Sequence, residues 1–594
     1  MVSEVDFQNK SKKTFRVLQL WINFPTFKTQ LTTKTFFMDH LHSLDFVIIA
    51  GYFLLVFAIA WYVTKKEKAG ADSANYFLGG RNLGWFAIGA SLFASNIGSE
   101  HLIGLSGAGA RGAFPEAQFE ILAALILLLL GWVFVPFYIR TGVYTMPEFL
   151  EKRYNKGART YLSLISIISY VLTKISFTIF AGALVFEVLL GIPFWTGAII
   201  TVLATGLYTV FGGLKAVIYT DMIQALVFIL GGVAATYFGL EAIGGWDNVL
   251  QAIQDNAPEP DTFMSLWRNK EYPWTGVLLG APILGIWYWC TDQFIVQRVL
   301  SAKNIPTARK GTIFGGFLKL LPLFIFVIPG IIAYALSVTE FPDMFTIENP
   351  ITGEVKTTTD AALPAMILRV MPVGIKGLVV AGFLAALMSS LSSVFNSTST
   401  LFTFDFYKQW RPDASERELV NIGRVATIVL VIVGLAWIPL MQKLTEGGGI
   451  YKYLQSVQAY ISPPIAAAFL LGIFYKKING KGALAALWTG FVLGIGRLAL
   501  EYMTQEGGLA ISETSLLGTL ITMNFLHYAI FLFVVSISIM LLVSLTTQSS
   551  SKELEENLVY QYGQKRKESL FKTKEFFLTM VIIVIVLILW YVFR

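Results

Sequence analysis

The sequence predicts an all-α polytopic membrane protein with about 14 transmembrane helices. Of its 594 residues, 55% are hydrophobic and only 14% are charged, and the mean hydropathy is +0.64. Apolar runs of about 20 residues, the length that a helix needs to cross a bilayer, recur from residue 44 to the C-terminus. These runs are too numerous for a soluble core, so we expect a multi-pass protein of the plasma or inner membrane, with the lipid bilayer as its partner.

Charge and motifs narrow the class of membrane protein. The net charge of +7 lies mostly in short loops, which is typical of the positive-inside pattern rather than of nucleic-acid binding. The chain has one cysteine, Cys290, and no Walker A, HExxH or nucleophile-elbow motif. We therefore expect no enzymatic activity, no nucleic-acid partner and no obligatory protein partner.

The apolar runs divide the chain into five parts. Lys65, Lys66 and Lys68 follow the first run and place that loop in the cytoplasm. Two sets of five spans come next, and each begins with a predicted interrupted helix, at Asn96 to Ser99 and at Pro282 to Gly285. Because five is odd, the second set enters the membrane in the opposite orientation. The predicted parts are a tail (1–43), a first span with its cytoplasmic loop (44–80), a first five-helix repeat (81–245), an inverted second repeat (276–475) and additional C-terminal spans (476–594).

The stretch from Ala90 to Gly109 predicts a transmembrane helix that is broken in its middle. Gly98 permits unwinding beside Asn96, which leaves the carbonyl groups of Ala94 and Ile97 without helical partners. At bilayer depth such a backbone survives only where it lines a protein cavity. Free carbonyls are cation ligands, so this break is a candidate ion site. A Gly-rich seam for helix packing is the alternative interpretation.

A second polar stretch lies in the helix predicted at about residues 373–407. At helical spacing one face carries Ser389, Ser392, Ser393, Asn396 and Thr400. Neutral oxygens beside unwound carbonyls suit Na⁺, a hard ion that binds oxygen ligands. The alternative is that these hydroxyls bond to the preceding turn or hold helices together.

Four charged residues, Asp221, Glu120, Lys319 and Lys174, lie inside apolar runs, and the sequence indicates no role for Lys174. Each costs roughly 2.5–3.5 kcal/mol at the bilayer centre unless it is paired or faces a cavity. Asp221 either counters a second cation or forms hydrogen bonds at the cytoplasmic end of its span. Glu120 and Lys319 have opposite charges, so we expect them to share one cavity.

A neutral polyol is the substrate that this mixture of groups fits best. Glu120 offers an acceptor and Lys319 a donor, and the amide of Gln455 and the imidazole of His101 add further hydrogen bonds. An aromatic face, from Tyr288 or its neighbour Trp289, would cover the C–H side of a sugar ring. An anionic substrate would call for surplus positive charge, and an amine for surplus negative charge.

Five motifs together resemble those of the solute:sodium symporter family, and most closely its sodium/glucose cotransporter branch. They are SLFASNIGSEHLIGLSG, YTMPEFLEKRYN, GGLKAVIYTD, WYWCTDQFIVQR and LAALMSSLSSVFNSTST. The similarity runs from about residue 44 to 475 and continues more weakly to residue 594. It implies a LeuT-like core of two inverted five-helix repeats and sodium-driven sugar uptake by alternating access.

The resemblance also implies roles for individual residues. The main sodium site would use the backbone carbonyls of Ala94, Ile97 and Ala386 and the hydroxyls of Ser389 and Ser390. A second sodium site would involve Asp221, Ser392 and Ser393, which implies two Na⁺ per sugar. The implied substrate-binding residues are Asn96, His101, Glu120, Tyr288, Trp289, Lys319 and Gln455. The implied gates are Tyr288 on the inner side and Leu105, Phe119 and Tyr451 on the outer side.

The sequence departs from the family pattern at positions that bear on the substrate. Thr178 stands where the animal carriers have an aspartate, and Lys452 replaces an acid. Ala123 and Gly285 lack the polar side chains found in a bacterial galactose carrier of the family. Two alternatives therefore stay open. One is a sodium symporter of the same fold for inositol, sialic acid, a carboxylate or an amino acid; the other is a sugar-gated sensor or cation channel.

Overall fold

The structure of the chain, a computed structural model, describes residues 41–66, 73–190, 192–348, 355–444, 450–505, 512, 515–547, 558–560 and 573–594. Nearly all of these residues are helical, which confirms the predicted all-α fold class. The sequence did not predict a small antiparallel hairpin, in which Thr346–Glu348 pairs with Val355–Thr357. The hairpin lies in the polar segment between the helices Ile328–Thr339 and Ala362–Val370.

The first half of the chain holds the first interrupted helix and the helices around it. Its α-helices are Ser43–Lys66, Ser73–Leu78, Trp85–Asn96, Ser99–Ala110, Gln118–Leu129, Val135–Thr141, Met146–Arg153, Lys156–Ser169, Ser176–Leu190, Phe194–Ile243 and Trp246–Asn256. The long helix Phe194–Ile243 bends at Gly213, where φ is +59°. It therefore covers both spans that the sequence predicts between residues 192 and 242.

The second half repeats the pattern and ends with additional helices. Its α-helices are Trp274–Leu279, Ala281–Gly285, Gln293–Leu300, Ile305–Leu318, Ile328–Thr339, Ala362–Val370, Ile375–Leu401, Lys408–Trp410, Glu416–Leu444, Ile450–Phe474, Gly480–Gln505, Leu516–Thr522, Phe525–Thr546 and Lys574–Val592. In both halves, π-helical turns connect several neighbouring pieces into longer rods. These turns are Leu130–Phe134, Tyr170–Ile175, Ile286–Thr291, Leu323–Val327 and Phe402–Tyr407.

Within the described residues, 11 helices are long and apolar enough to cross a membrane, judged by length and composition. The predicted count of 14 is not confirmed. The difference arises where the rods are interrupted or short: the helix over residues 85–110 consists of two 12-residue pieces, and Phe194–Leu207 is a shorter apolar helix. A protein with this many apolar helices is a multi-pass membrane protein.

The predicted break in the first interrupted helix is confirmed. The helix Trp85–Asn96 is followed by Ile97, which is extended with φ −74° and ψ 97°. Gly98 is also extended, with φ −106° and ψ −174°. A new helix, Ser99–Ala110, starts directly after Gly98. We use the name "first interrupted helix" for these two pieces and the extended pair between them.

The glycines that follow the break pack against a neighbouring helix, as the alternative interpretation proposed. A Cβ on Gly109 would lie 2.2 Å from the carbonyl oxygen of Val327, and one on Gly330 would lie 1.9 Å from that of Ser106. Only glycine allows the two backbones to approach this closely. The stretch therefore combines an unwound segment with a packing seam.

The interruption predicted at Pro282 to Gly285 is wrong in position. Gly280 and Gly285 have helical dihedral angles, because a proline in the first turn of a helix lacks only an N–H that would be unpaired there anyway. The break lies at Asp292, which is extended with φ −75° and ψ 129° and caps the following helix, Gln293–Leu300. We call this rod, from Ala281 to Leu300, the second interrupted helix.

The helix with the polar face lies at the centre of the fold. It runs from Ile375 to Leu401 and continues as a π-helical turn to Tyr407, close to the predicted residues 373–407; it begins after Gly374, where φ is +88°. Every residue from Val379 to Leu401 is buried. We call it the serine helix, and its burial excludes contact between its hydroxyls and lipid.

Candidate functional site

A cavity lies between the first interrupted helix, the second interrupted helix and the helix Ile450–Phe474. Its empty volume is about 720 Å³, which includes the open solvent at its mouth. Among the predicted substrate-binding residues, those that line it are Asn96, His101, Glu120, Tyr288, Trp289 and Gln455. Residues from about position 96 to position 455 thus converge on one space.

Lys319 does not line the cavity but contacts two of its lining residues, Asn96 and Glu120. Its ammonium is fully buried and donates hydrogen bonds to the amide oxygen of Asn96 and to the carboxylate of Glu120. It also lies 5.2 Å from the centre of the Trp289 ring. The two charges therefore pair, but Lys319 is not among the residues that line the cavity, so the expected shared cavity is not confirmed. Because this pair is buried, removing one partner alone leaves an uncompensated charge.

Asn96 and His101 extend this polar network. The amide nitrogen of Asn96 donates to the hydroxyl of Tyr288 at 2.9 Å. The Nδ1 atom of His101 accepts the N–H of Gly98 at 3.3 Å, and its Nε2 atom lies 3.4 Å from Glu120. This arrangement fits the neutral tautomer that carries its proton on Nε2. His101 thus secures the start of the second half of the first interrupted helix while it faces the cavity.

Several lining residues had no role in the sequence-based site. They are Leu122, Ile126, Lys174, Phe177, Thr178, Ala281, Leu284, Gly285, Leu454 and Gln458. Gln458 follows Gln455 by one helical turn, so i, i+3 spacing could have identified it. The ammonium of Lys174 lies 4.0 Å from the ring centre of Tyr288 and 3.9 Å from that of Phe294. Its charge is therefore directed at two aromatic faces.

The predicted outer-gate residues have different locations. Phe119 lines the cavity. Leu105 is fully buried and is not among the lining residues. The side chain of Tyr451 lies outside the described residues.

The backbone break meets the serine helix beside this cavity. The hydroxyl of Ser390 donates to the carbonyl oxygens of Ser95 and Ile97, over 3.2 Å and 3.3 Å. Ala94 and Ala386, whose carbonyls were the other predicted ligands, are fully buried on the two facing helices. A hydroxyl and unwound carbonyls thus face one another away from water.

Ser389 has a different partner from the one that its predicted place in the main sodium site implied. Its hydroxyl donates to Asp221 at 2.6 Å. Ser91 and Ser95, which sequence reasoning missed, donate to the same carboxylate at 2.5 Å and 3.1 Å. Their i, i+4 spacing on the first interrupted helix was the available signal. Asp221 is therefore a fully buried acceptor between three hydroxyls.

The other two residues of the predicted second sodium site lie on the same helix but bond differently. Ser392 donates to the carbonyl of Ser389 within its own helix at 3.0 Å, as the alternative interpretation proposed. Ser393 donates to Ser95 at 3.2 Å and accepts a hydrogen bond from Arg298. Arg298 is a second group that sequence reasoning missed.

Comparisons with known proteins agree with this architecture. The sequence profile of the Sodium:solute symporter family matches residues 76–490. A solved structure of a Na⁺-coupled sialic acid symporter in a substrate-bound outward-open state superposes with a TM-score of 0.70, at 21% sequence identity, over 86% of this chain and 99% of that one. At this identity the likeness shows the LeuT-type fold alone.

Curated relatives are considerably more similar in sequence. The Homo sapiens sodium/myo-inositol cotransporter is 40% identical over 572 residues, which cover 90% of this chain and 79% of the relative. The Oryctolagus cuniculus sodium/glucose cotransporter 1 is 40% identical over 530 residues, 85% of this chain and 79% of the relative. The chain therefore belongs to the sodium:solute symporter family: it is a multi-pass membrane protein that couples the movement of a small solute to Na⁺, and not an enzyme.

Proposed function

We propose that this protein imports a neutral sugar of the glucose or galactose type by alternating access, together with two Na⁺ per sugar. The observation that carries the proposal is the balanced polar network at the cavity, in which Glu120 and Lys319 neutralise each other beside Asn96. Hydroxyl groups of a sugar both donate and accept hydrogen bonds, so they suit a site that offers both.

The aromatic and amide groups support the same substrate class. Tyr288 and Trp289 lie edge to face, with ring centres 5.2 Å apart, and both line the cavity. A ring face covers the C–H side of a sugar, while Gln455 provides an amide donor and acceptor. The cation of Lys174 is engaged by Tyr288 and Phe294, which reduces its attraction for an anionic substrate.

Myo-inositol is a second candidate substrate. The relative with that name covers 90% of this chain at 40% identity, as high an identity as that of the glucose carrier. Inositol is also a neutral ring of hydroxyl groups, so the same network of Asn96, Glu120 and Lys319 would bind it. The two candidates differ because glucose has a ring oxygen and an exocyclic CH₂OH group, whereas myo-inositol has neither.

Two oxygen-rich regions beside the cavity are the proposed sodium sites. The first would combine the carbonyls of Ala94, Ile97 and Ala386 with the hydroxyl of Ser390 and, after a change of partner, of Ser389. The second would use Asp221, Ser392 and Ser393. Sodium at the first site would hold the broken helix against the serine helix and so favour the conformation that binds sugar. Such coupling is reciprocal, because sugar must then raise sodium affinity by the same factor.

The voltage dependence follows from the proposed ratio. Each charge moved across the membrane is worth about 2.3 kcal/mol per 100 mV. Two sodium ions per neutral sugar therefore double the electrical contribution that one sodium ion provides.

Flux into proteoliposomes tests the proposal. With an inward Na⁺ gradient we expect labelled glucose to accumulate above its outside concentration, and with K⁺ in place of Na⁺ we expect only equilibration. Parallel ²²Na⁺ uptake gives the ratio, with two expected. A panel of unlabelled galactose, myo-inositol, sialic acid, a carboxylate and an amino acid then competes with glucose. Competition by myo-inositol alone would assign the second candidate, and competition by neither polyol would contradict the proposed substrate class.

A further inference from the structure

Arg298 lies at the point where both halves of the fold meet. It is among the largest fully buried side chains of the described residues. Its Nε atom donates to Ser91 at 3.0 Å, and its other nitrogens donate to Ser393 and to the carbonyl of Phe294. One guanidinium thus connects the first interrupted helix, the serine helix and the second interrupted helix.

This guanidinium also provides the positive charge beside Asp221. Its Nη2 atom lies 3.9 Å from the carboxylate, and both side chains are fully buried. A buried carboxylate beside a buried guanidinium forms a pair with no net charge. A Na⁺ ion bound to the same carboxylate would add one uncompensated positive charge in a place without water, and such a charge is strongly disfavoured.

The two cations would also need the same oxygen atoms. Asp221 and Ser393 are two of the three residues in the proposed second sodium site, and both lie against Arg298 in this structure. We propose that the guanidinium of Arg298 is a tethered cation that competes with the second Na⁺ for Asp221 and Ser393. This inference rests on the proposed function, since it concerns the second of its two sodium sites.

This competition would connect the second sodium site to the substrate cavity through the second interrupted helix. Arg298 lies on the helix Gln293–Leu300, which follows the break at Asp292. Tyr170 donates to Asp292, and the proposed inner gate, Tyr288, lies on the other side of the break. When Na⁺ takes Asp221, the contacts of Arg298 with Ser91 and Ser393 are lost, and this helix is free to change its position.

The test is ²²Na⁺ binding to the purified protein without sugar. Arg298→Gln removes the positive charge and retains an amide that can donate a hydrogen bond. Because Asp221 then lacks its counter-charge, we expect the second sodium site to bind Na⁺ at least about tenfold more tightly. Arg298→Lys keeps the positive charge, so its gain in sodium affinity should be smaller than that of Arg298→Gln, although one ammonium cannot make all the contacts of the guanidinium. Arg309→Gln, which removes one arginine whose guanidinium lies over the Trp132 ring, is the control for net charge.

The gain must depend on Asp221. Adding Asp221→Asn to the Arg298→Gln variant should abolish it. Sodium binding that stays unchanged or weakens in folded Arg298→Gln protein would overturn the proposal.

A second measurement needs no variant. Hydrogen exchange of the Gln293–Leu300 segment in the unaltered protein should rise when Na⁺ replaces K⁺, because the guanidinium leaves its partners. Equal exchange in the two salts would also overturn the competition. Sodium-driven uptake by the unaltered protein is scored separately, so a failure of Arg298 to respond is distinguishable from a failure of the proposed symport.

Discussion

The hydroxyl of Ser390 donates a hydrogen bond to the carbonyl oxygen of Ile97, 3.3 Å away. This contact joins the buried serine helix to the extended part of the first interrupted helix. It places a neutral hydroxyl against a carbonyl that has left its helix, which is the environment that a weakly held Na⁺ ion needs.

Ser390→Ala should lower sodium affinity at this junction. The variant removes one oxygen ligand, so we expect the sodium concentration for half-maximal sugar uptake to rise at least about tenfold, or about 1.4 kcal/mol. Ser399→Ala is the matched control, because Ser399 bonds only to Asn396 of its own helix among the contacts described. A Ser390→Ala protein with unchanged sodium dependence would remove the main sodium site from this position.

Ser389→Ala tests the connection between the two proposed sodium sites, because Ser389 belongs to the first site and donates to Asp221 of the second. Because Ser389 donates to Asp221 at 2.6 Å, we expect the loss of its hydroxyl to weaken the second sodium site. Sodium-dependent sugar uptake should fall strongly, and the Hill coefficient for sodium should approach one. Direct measurement of the ratio of ²²Na⁺ to sugar checks this result. A ratio and an uptake rate equal to those of the unaltered protein would contradict it.

The pair of Lys319 and Glu120 should behave as a unit in stability measurements. Lys319→Met or Glu120→Gln alone leaves a buried charge, so we expect each to destabilise the protein by about 3–5 kcal/mol. The double variant removes both charges and should recover most of that loss while sugar uptake stays absent. Thermal unfolding of the purified proteins measures the cycle, and purely additive losses would show that the two groups do not interact.

Asp45 provides a test of how the first membrane helix is fixed to the core. Its Oδ1 atom accepts the N–H groups of Gly374 and Gly377, at 2.7 Å and 2.8 Å, and so caps the serine helix from another part of the chain. Asp45→Ala should cost about 0.5–2 kcal/mol in the free energy of unfolding. Asp247→Ala, at an exposed first turn, is the control. Equal melting temperatures for the two variants would exclude the cap.

Arg153 fixes the C-terminal end of the helix that carries Gln455. Burial lowers the pKa of its guanidinium, which donates to the carbonyls of Gly472, Tyr475 and Ile478 at 2.6, 3.1 and 3.0 Å. Arg153→Ala should destabilise the protein by about 1.5–3 kcal/mol, since hydrogen bonds from a charged group are lost.

The neighbour of Arg153 offers the matched control. Lys152 is partly exposed, pairs with Glu148 at 3.4 Å and donates one exposed hydrogen bond to the carbonyl of Thr141 at 3.0 Å, so Lys152→Ala should cost less than about 1 kcal/mol. Thermal unfolding of both variants checks the difference. Similar losses for the two would show that the carbonyl contacts of Arg153 add no stability.

Local signals predicted the main features of the site. Asn96 and Gly98 indicated the backbone break because glycine and a short amide disfavour a continuous helix. The misplaced second break shows the limit of such signals. Pro282 is compatible with a helical first turn, whereas Asp292 caps the helix Gln293–Leu300 and interrupts the rod there. The capping tendency of an aspartate could also have been recognised at Asp292, but Pro282 and Gly285 gave the stronger signal for a break.

The sequence by itself determined where the first interrupted helix unwinds, which helix faces are too polar for lipid, and that Glu120 and Lys319 need each other. Each of these follows from properties of single residues or from helical spacing, together with the cost of charge in a bilayer. Only the tertiary structure decided that Ser389 bonds to Asp221, that Ser390 bonds to Ile97, and that Arg298 lies beside them. Spacing assigns a residue to a face, but the partner across that face comes from a helix that is distant in the chain. Its identity depends on how the helices pack.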